Sequence, residues 1–221
     1  MSPRISYAID PLALDSSTSF LRFMNSRFRA HRPLALLAIA LAIFAASSAC
    51  GSLTGNKAQT ENSTDTVTVY ALNGTPVDAP AGLWLFGRQA VVMNSSFLFD
   101  VAFDIDSVGE ATMYSVRYVA GTLSSAHSVA IQRVTTSFDA LQKAPQSGYV
   151  ADSLFSTKVG DVFAISTSDP SACSFSIYSN LIYAKLEVLG IDPGTRTVRT
   201  RFTVDPNCGF LSLIPSGIPK D

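Results

Sequence analysis

The chain has 221 residues, 47% of them hydrophobic and 15% charged, with two histidines, three cysteines and a formal net charge of −1. Beyond Cys50, 15 Asp or Glu face 11 Lys or Arg, so the part left to fold is weakly acidic. It lacks the basic footprint that a phosphate backbone demands, which argues against nucleic acid as a partner and against electrostatic adhesion to anionic lipid.

Residues 1–23 carry Asp10 and Asp15, which do not suit a short, basic export leader. Reading from Met24 gives Met-Asn-Ser-Arg-Phe-Arg-Ala-His-Arg-Pro, so residues 1–23 are expected to be an over-extended start. Residues 24–49 then read as a signal peptide. Arg27, Arg29 and Arg32 form its positive region, Leu34 to Ala46 its apolar region, and Ser47-Ser48-Ala49 a small-residue cleavage site before Cys50. The apolar run is 13 residues, short of the about 20 that cross a bilayer.

This order resembles the signal peptides of bacterial lipoproteins, in which the cysteine at the cleavage point is lipidated. The resemblance implies a lipid on Cys50 and a membrane held through that lipid. Ser47 stands where those signals usually carry Leu, Val or Ile, and Ser47-x-Ala49 also suits the ordinary secretory peptidase. Gly51 follows the cysteine where Asp would signal inner-membrane retention, so the resemblance favours the outer membrane of the cell envelope.

Residues 50–65 are almost devoid of apolar side chains and read as a flexible tether. Residues 66–221 suffice for one core and are too few for two ordinary domains. Strands are expected at Val67–Leu72, Leu83–Phe86 and Ala90–Met93. Phe97 to Asp106 alternates over ten residues: Phe97, Phe99, Val101, Phe103 and Ile105 share one face, and Leu98, Asp100, Ala102, Asp104 and Asp106 the other. Ser107 to Glu110 turns the chain, and Thr112–Val119 returns. Next come strands at Val129–Thr135, Tyr149–Phe155 and Val162–Thr167, with one short helix at Phe138–Lys143 capped by Ser137 and stopped by Pro145. A last hairpin joins Ile182–Ile191 to Arg196–Val204 through Asp192-Pro193-Gly194-Thr195, with positive φ expected at Gly194. Its return strand points Val198, Phe202 and Val204 one way and Thr197, Arg199, Arg201 and Thr203 the other. Lys185 and Glu187 would face that basic row on an open surface, where charge discourages edge pairing. Many short strands with closely spaced turns predict an all-β fold: one antiparallel β-sandwich, of Ig-like or jelly-roll type, with at most one short helix.

With Cys50 lipidated, Cys173 and Cys208 remain, and an exported protein is expected to join them. His127 is the one histidine beyond Cys50. It sits between serines, but neighbours on a strand face opposite ways, so a polar histidine at the start of a strand is expected in place of a catalytic one. No catalytic residue is assigned. Asp104-x-Asp106-x-x-Gly109 imitates the opening of a calcium loop, yet Val108 and Ser115 stand where oxygen ligands are needed. A looser calcium site would draw on Asp100, Asp104, Asp106 and Glu110, against the plainer reading of a solvated strand face. No other metal and no cofactor is expected. Gly82 to Gly87, with Trp84 and Phe86, would either pack the core or present rings to a sugar. Asn62, Asn73 and Asn94 open glycosylation sequons that suit a Ser/Thr-rich composition by chance.

The sequence therefore predicts a lipid-anchored envelope protein acting as a non-catalytic binding or structural domain, with a protein or carbohydrate partner of unknown identity. The alternatives are a hydrolase using paired carboxylates and a scaffold subunit of an envelope complex, which a large exposed apolar patch would signal.

Overall fold

The computed structural model describes residues 57–121, 127–173, 176–177 and 179–220. Among them are eleven strands: β1 (Ser63–Tyr70), β2 (Gly82–Trp84), β3 (Gln89–Val91), β4 (Val101–Ile105), β5 (Ala111–Ser115), β6 (Val129–Val134), β7 (Val150–Ala151), β8 (Leu154–Thr157), β9 (Val162–Thr167), β10 (Ile182–Asp192) and β11 (Thr197–Asp205). Two short helices accompany them, α1 (Val116–Ala120) and α2 (Pro170–Cys173).

The strands form two antiparallel sheets, six-stranded in the order β1-β11-β10-β9-β6-β7 and five-stranded in the order β3-β2-β4-β5-β8. This is the expected single all-β sandwich. The chain passes from one sheet to the other after β1, β5, β7 and β8. Beyond β1, Leu72 N donates to Phe103 O of β4 at 2.8 Å, and β7 leads through Asp152 and Ser153 into β8 on the opposite sheet.

Alternation builds the core between the layers. Phe99, Val101, Phe103 and Ile105 are buried in one cluster with Val198, Phe202 and Val204 of β11, as the patterns of both segments predict. β9 is buried along its whole length. Phe163 and Ile165 enter the core between the sheets, while Val162 and Ala164 enter a second cluster on the outer face with Phe138, Leu141, Ala144 and Leu213.

That second cluster corrects the expectation of an open charged face. The outer surface of the six-stranded sheet is covered by the 138–144 segment and by the chain around Leu213, and Lys185 is buried beneath them. The 138–144 segment is not the expected helix. It makes one helix-like bond, Leu141 N to Ser137 O, and then pairs with the C-terminal segment through Ala144 N to Leu211 O and Leu213 N to Gln142 O.

The helices fall elsewhere. Val116–Ala120 was expected to extend a strand, and its β-branched residues favour one. Instead Val116 N donates to Asp100 O, and Gly121 closes the turn at φ +62°. Pro170 opens α2 at the first helical position, where a missing N–H costs nothing. Tyr149–Phe155 likewise divides into β7 and β8 at Asp152, φ +50°. In the last hairpin, positive φ sits at Arg196 (+53°) and not at Gly194. Asp192 Oδ1 takes the N–H groups of Gly194 and Thr195, so the turn tightens without a left-handed glycine and the reversal is completed one residue before β11.

Candidate functional site

Chemistry-bearing residues gather at both ends of the sandwich. At the end where β9 and β11 finish, Cys173 of α2 is bridged to Cys208, with Cα atoms 5.8 Å apart. Asp169 sets α2 in place: Oδ1 accepts Ser171 N at 2.7 Å, and Oδ2 accepts the Trp84 indole N–H. The segment leading toward Cys50 docks here. Gln59 N and Thr60 N both donate to Asn207 Oδ1, at 2.8 and 3.0 Å, and Asn207 Nδ2 donates back to Thr60 O. The expected tether is therefore held from Gln59 onward, and β1 begins at Ser63, before the expected Val67. A recess of about 400 Å³ opens between Lys57, Thr60, Asn207, Cys208 and Phe210. Cys50 itself lies outside the described residues.

Inside this end a polar cluster joins the two sheets. Asp100, placed on the polar face by the alternation, is fully buried. It receives three partners: Leu85 N on Oδ2 at 2.7 Å, and the Thr167 hydroxyl (2.6 Å) and His127 Nε2 (2.9 Å) on Oδ1. β4 begins only at Val101, and Phe97 has φ +48°, so the irregular backbone before the strand turns Phe99 and Asp100 both inward. A buried carboxylate is tolerated because every partner is in place. The His127 side chain is itself only 8% exposed, so the pair serves as a tie between the sheets. The Ser168 hydroxyl accepts from Ser128 N and donates to Ser128 O, and Ser124 and Ser125 lie outside the described residues.

The loose calcium candidate is dispersed. Asp100 is enclosed as above, and Asp104 accepts from Asn73 and Arg196. Asp106 Oδ1 accepts Val108 N and Glu110 N within its own turn, where Gly109 adopts φ +88°. Among the described residues no three His, Cys, Asp or Glu side chains gather for a metal. Asn62, the first sequon, is buried and donates to Ser212 O and Ile214 O. Trp84 and Phe86 are half-buried with ring centres 6.3 Å apart. The indole packs so closely on Gly87 that a Cβ there would lie 2.0 Å from a ring carbon.

The outer face carries the group that the sequence conceals best. Lys185 Nζ donates to Phe138 O and Leu141 O at 2.8 and 2.9 Å, and stands 4.5 Å from the Phe138 ring centre. Arg201 stacks on the same ring at 4.1 Å and is held by Glu187, its cross-strand partner. Burial holds the Lys185 ammonium below the usual lysine range; Asp139 opposes that shift and Arg201 adds to it. Nearby, burial and the neighbouring Tyr183 push the Tyr149 hydroxyl above the usual tyrosine range. The spacing of Phe138, Leu141 and Ala144 was the available signal. That they are buried, and what they cover, came into view only with the fold.

The opposite end holds two further features. The turn between β8 and β9 and the chain after β6 enclose an open cleft of about 510 Å³ with Arg133, Thr135, Thr136, Ser137, Lys158 and Asp161 on its walls. Beyond β1, a notch of about 220 Å³ is lined by Thr75 together with Leu72, Pro76, Val77, Ala81 and Met93. No protein family, curated protein or solved structure matches this chain.

Proposed function

We propose that this protein is exported to a bacterial envelope, is anchored there by lipid on Cys50, and serves as a non-catalytic binding or structural β-domain. The observation that carries this reading is the Cys173–Cys208 bridge. It suits an oxidising compartment, and it leaves Cys50, at the end of the charged, apolar and small-residue order, as the remaining cysteine of three. The domain would then hang by its disulfide end. Lys57 follows Cys50 by seven residues, a reach of at most about 25 Å.

The absence of a catalytic assignment rests on how the polar groups are used. Asp100, Asp169 and Lys185 are buried and engaged by internal donors or acceptors. Such groups join layers and caps; they do not meet a substrate. Mass spectrometry of the mature N-terminus tests the anchor. Thioether-linked diacylglycerol on Cys50 is expected, and Cys50→Ser should release or trap the protein. An unmodified N-terminal residue, or a retained Met24, sinks the reading.

A scaffold role is the second reading. The exposed apolar side chains beside the notch favour it, because Val77 at its rim is 98% exposed and Val92 is also exposed. Cross-linking in intact envelopes decides between the two: loss of a specific adduct in Val77→Asp supports the scaffold, and an unchanged pattern removes it.

A further inference from the structure

We infer that the cleft between the β8–β9 turn and the chain after β6 binds a small hydroxylated ligand through an oxyanion, a carboxylate or a phosphate. Five of its nine lining residues carry side-chain donors, beside Val134, Gly160, Val162 and the carboxylate of Asp161. Arg133 is fixed: it donates to Ser156 O, pairs with Asp161 at 3.4 Å and lies 5.3 Å from the Phe163 ring centre. A guanidinium has five N–H donors in a rigid fork, and these contacts leave some of them turned to the cleft. Asp161 is 10% exposed, and its carboxylate also accepts Lys158 N. It thus neutralises Arg133 and shapes the turn.

Lys158 is exposed on the opposite wall, and its ammonium has no hydrogen-bond or ion-pair partner among the described residues. The cleft therefore carries one uncompensated positive charge. Thr135, Thr136 and Ser137 add three exposed hydroxyls. A charged donor for an oxyanion beside neutral donor–acceptors for hydroxyls is the lining that an acidic sugar or a sugar phosphate satisfies. The volume of about 510 Å³ falls within the roughly 300–1,000 Å³ usual for small-ligand sites. The inference gives the proposed binding domain a ligand class, but it does not depend on the lipid.

Calorimetric titration of the full mature protein tests it, with sodium glucuronate, inorganic phosphate and glucose as probes and chloride matched for ionic strength. Saturable binding of either anion with a dissociation constant below about 1 mM is expected, and the tighter of the two names the source of the charge. Lys158→Ala, at an exposed position, should leave the thermal midpoint unchanged and weaken anion binding about tenfold, the loss of one charge-assisted hydrogen bond. Arg133→Gln is the poorer probe, since it strips Asp161 of its partner. The inference is overturned by no saturable anion binding, by anion binding that Lys158→Ala leaves intact, or by glucose binding as tightly as glucuronate. A cleft that fails while Cys50 proves lipidated removes this inference alone.

Discussion

Asp100 shows what a period-two pattern conveys and what it hides. The pattern is right about Phe99, Val101 and Phe103, which are buried. It sends Asp100 to solvent, where removal would cost under about 1 kcal/mol. The carboxylate is instead enclosed by partners from elsewhere in the chain, Leu85, His127 and Thr167. Nothing local to Phe97–Asp106 announces them. Asp100→Ala should therefore cost about 2–4 kcal/mol in denaturant unfolding, because it strands a backbone N–H, a hydroxyl and an imidazole. Phe103→Ala should cost about 3–5 kcal/mol. An Asp100→Ala cost under about 1 kcal/mol would show that the cluster is not a sheet-to-sheet tie. Lys185 and Tyr149 make a second pair of residue-scale expectations. Lys185 is depressed on folding, so the unfolded chain binds more protons below about pH 10.4 and stability rises with pH toward that value. Tyr149 is raised, so above about pH 10 the native state holds the extra proton and stability falls as pH rises. Lys185→Met should flatten the rise and Tyr149→Phe the fall in denaturation midpoints followed through the alkaline range.

Among the elements, legibility follows the distance over which each is determined. The β10–β11 hairpin is defined by adjacent residues, and its faces and its Glu187–Arg201 pair are where the pattern puts them. The helix expected at Phe138–Lys143 depended on the Ser137 cap and the Pro145 stop, both local. It lost to distant pairing, since Lys143 and Ser212 form a bridge and Leu213 seats against Phe138 and Leu141. The segment is thus a cover over Lys185, and its anchor is Phe138, 2% exposed beneath two cations. Phe138→Ala should cost about 3–5 kcal/mol and speed hydrogen exchange on the outer face of β9 and β10. Slow exchange unchanged there would mean the cover contributes little.

For the whole molecule, the class of fold and the disulfide were readable because both follow from counts: strand after strand with close turns, and two cysteines left once Cys50 is set aside. The bridge closes a loop over a sequence separation of 35, worth about 3–4 kcal/mol in the chain-entropy model. Cys173→Ser with Cys208→Ser should lower unfolding free energy by about that amount, and thiol labelling of the denatured, unreduced protein should find neither cysteine. The cleft was not readable. Arg133 to Ser137 and Lys158 come from two separate segments, and only the antiparallel register of β6 with β9, Val134 opposite Val162, brings them to one end.

Asn207 gripping Thr60 has a mechanical meaning. Tension entering through Lys57 meets this clamp, beside the Cys173–Cys208 link, before it reaches β1. Should the clamp yield, the pull runs along the axis of β1, whose eight residues pair with β11 from Ser63–Val204 to Tyr70–Thr197. A strand drawn lengthwise loads its rungs together, whereas one peeled sideways breaks them singly. If Cys50 is anchored as proposed, the domain would meet force from that end in shear, its more resistant direction.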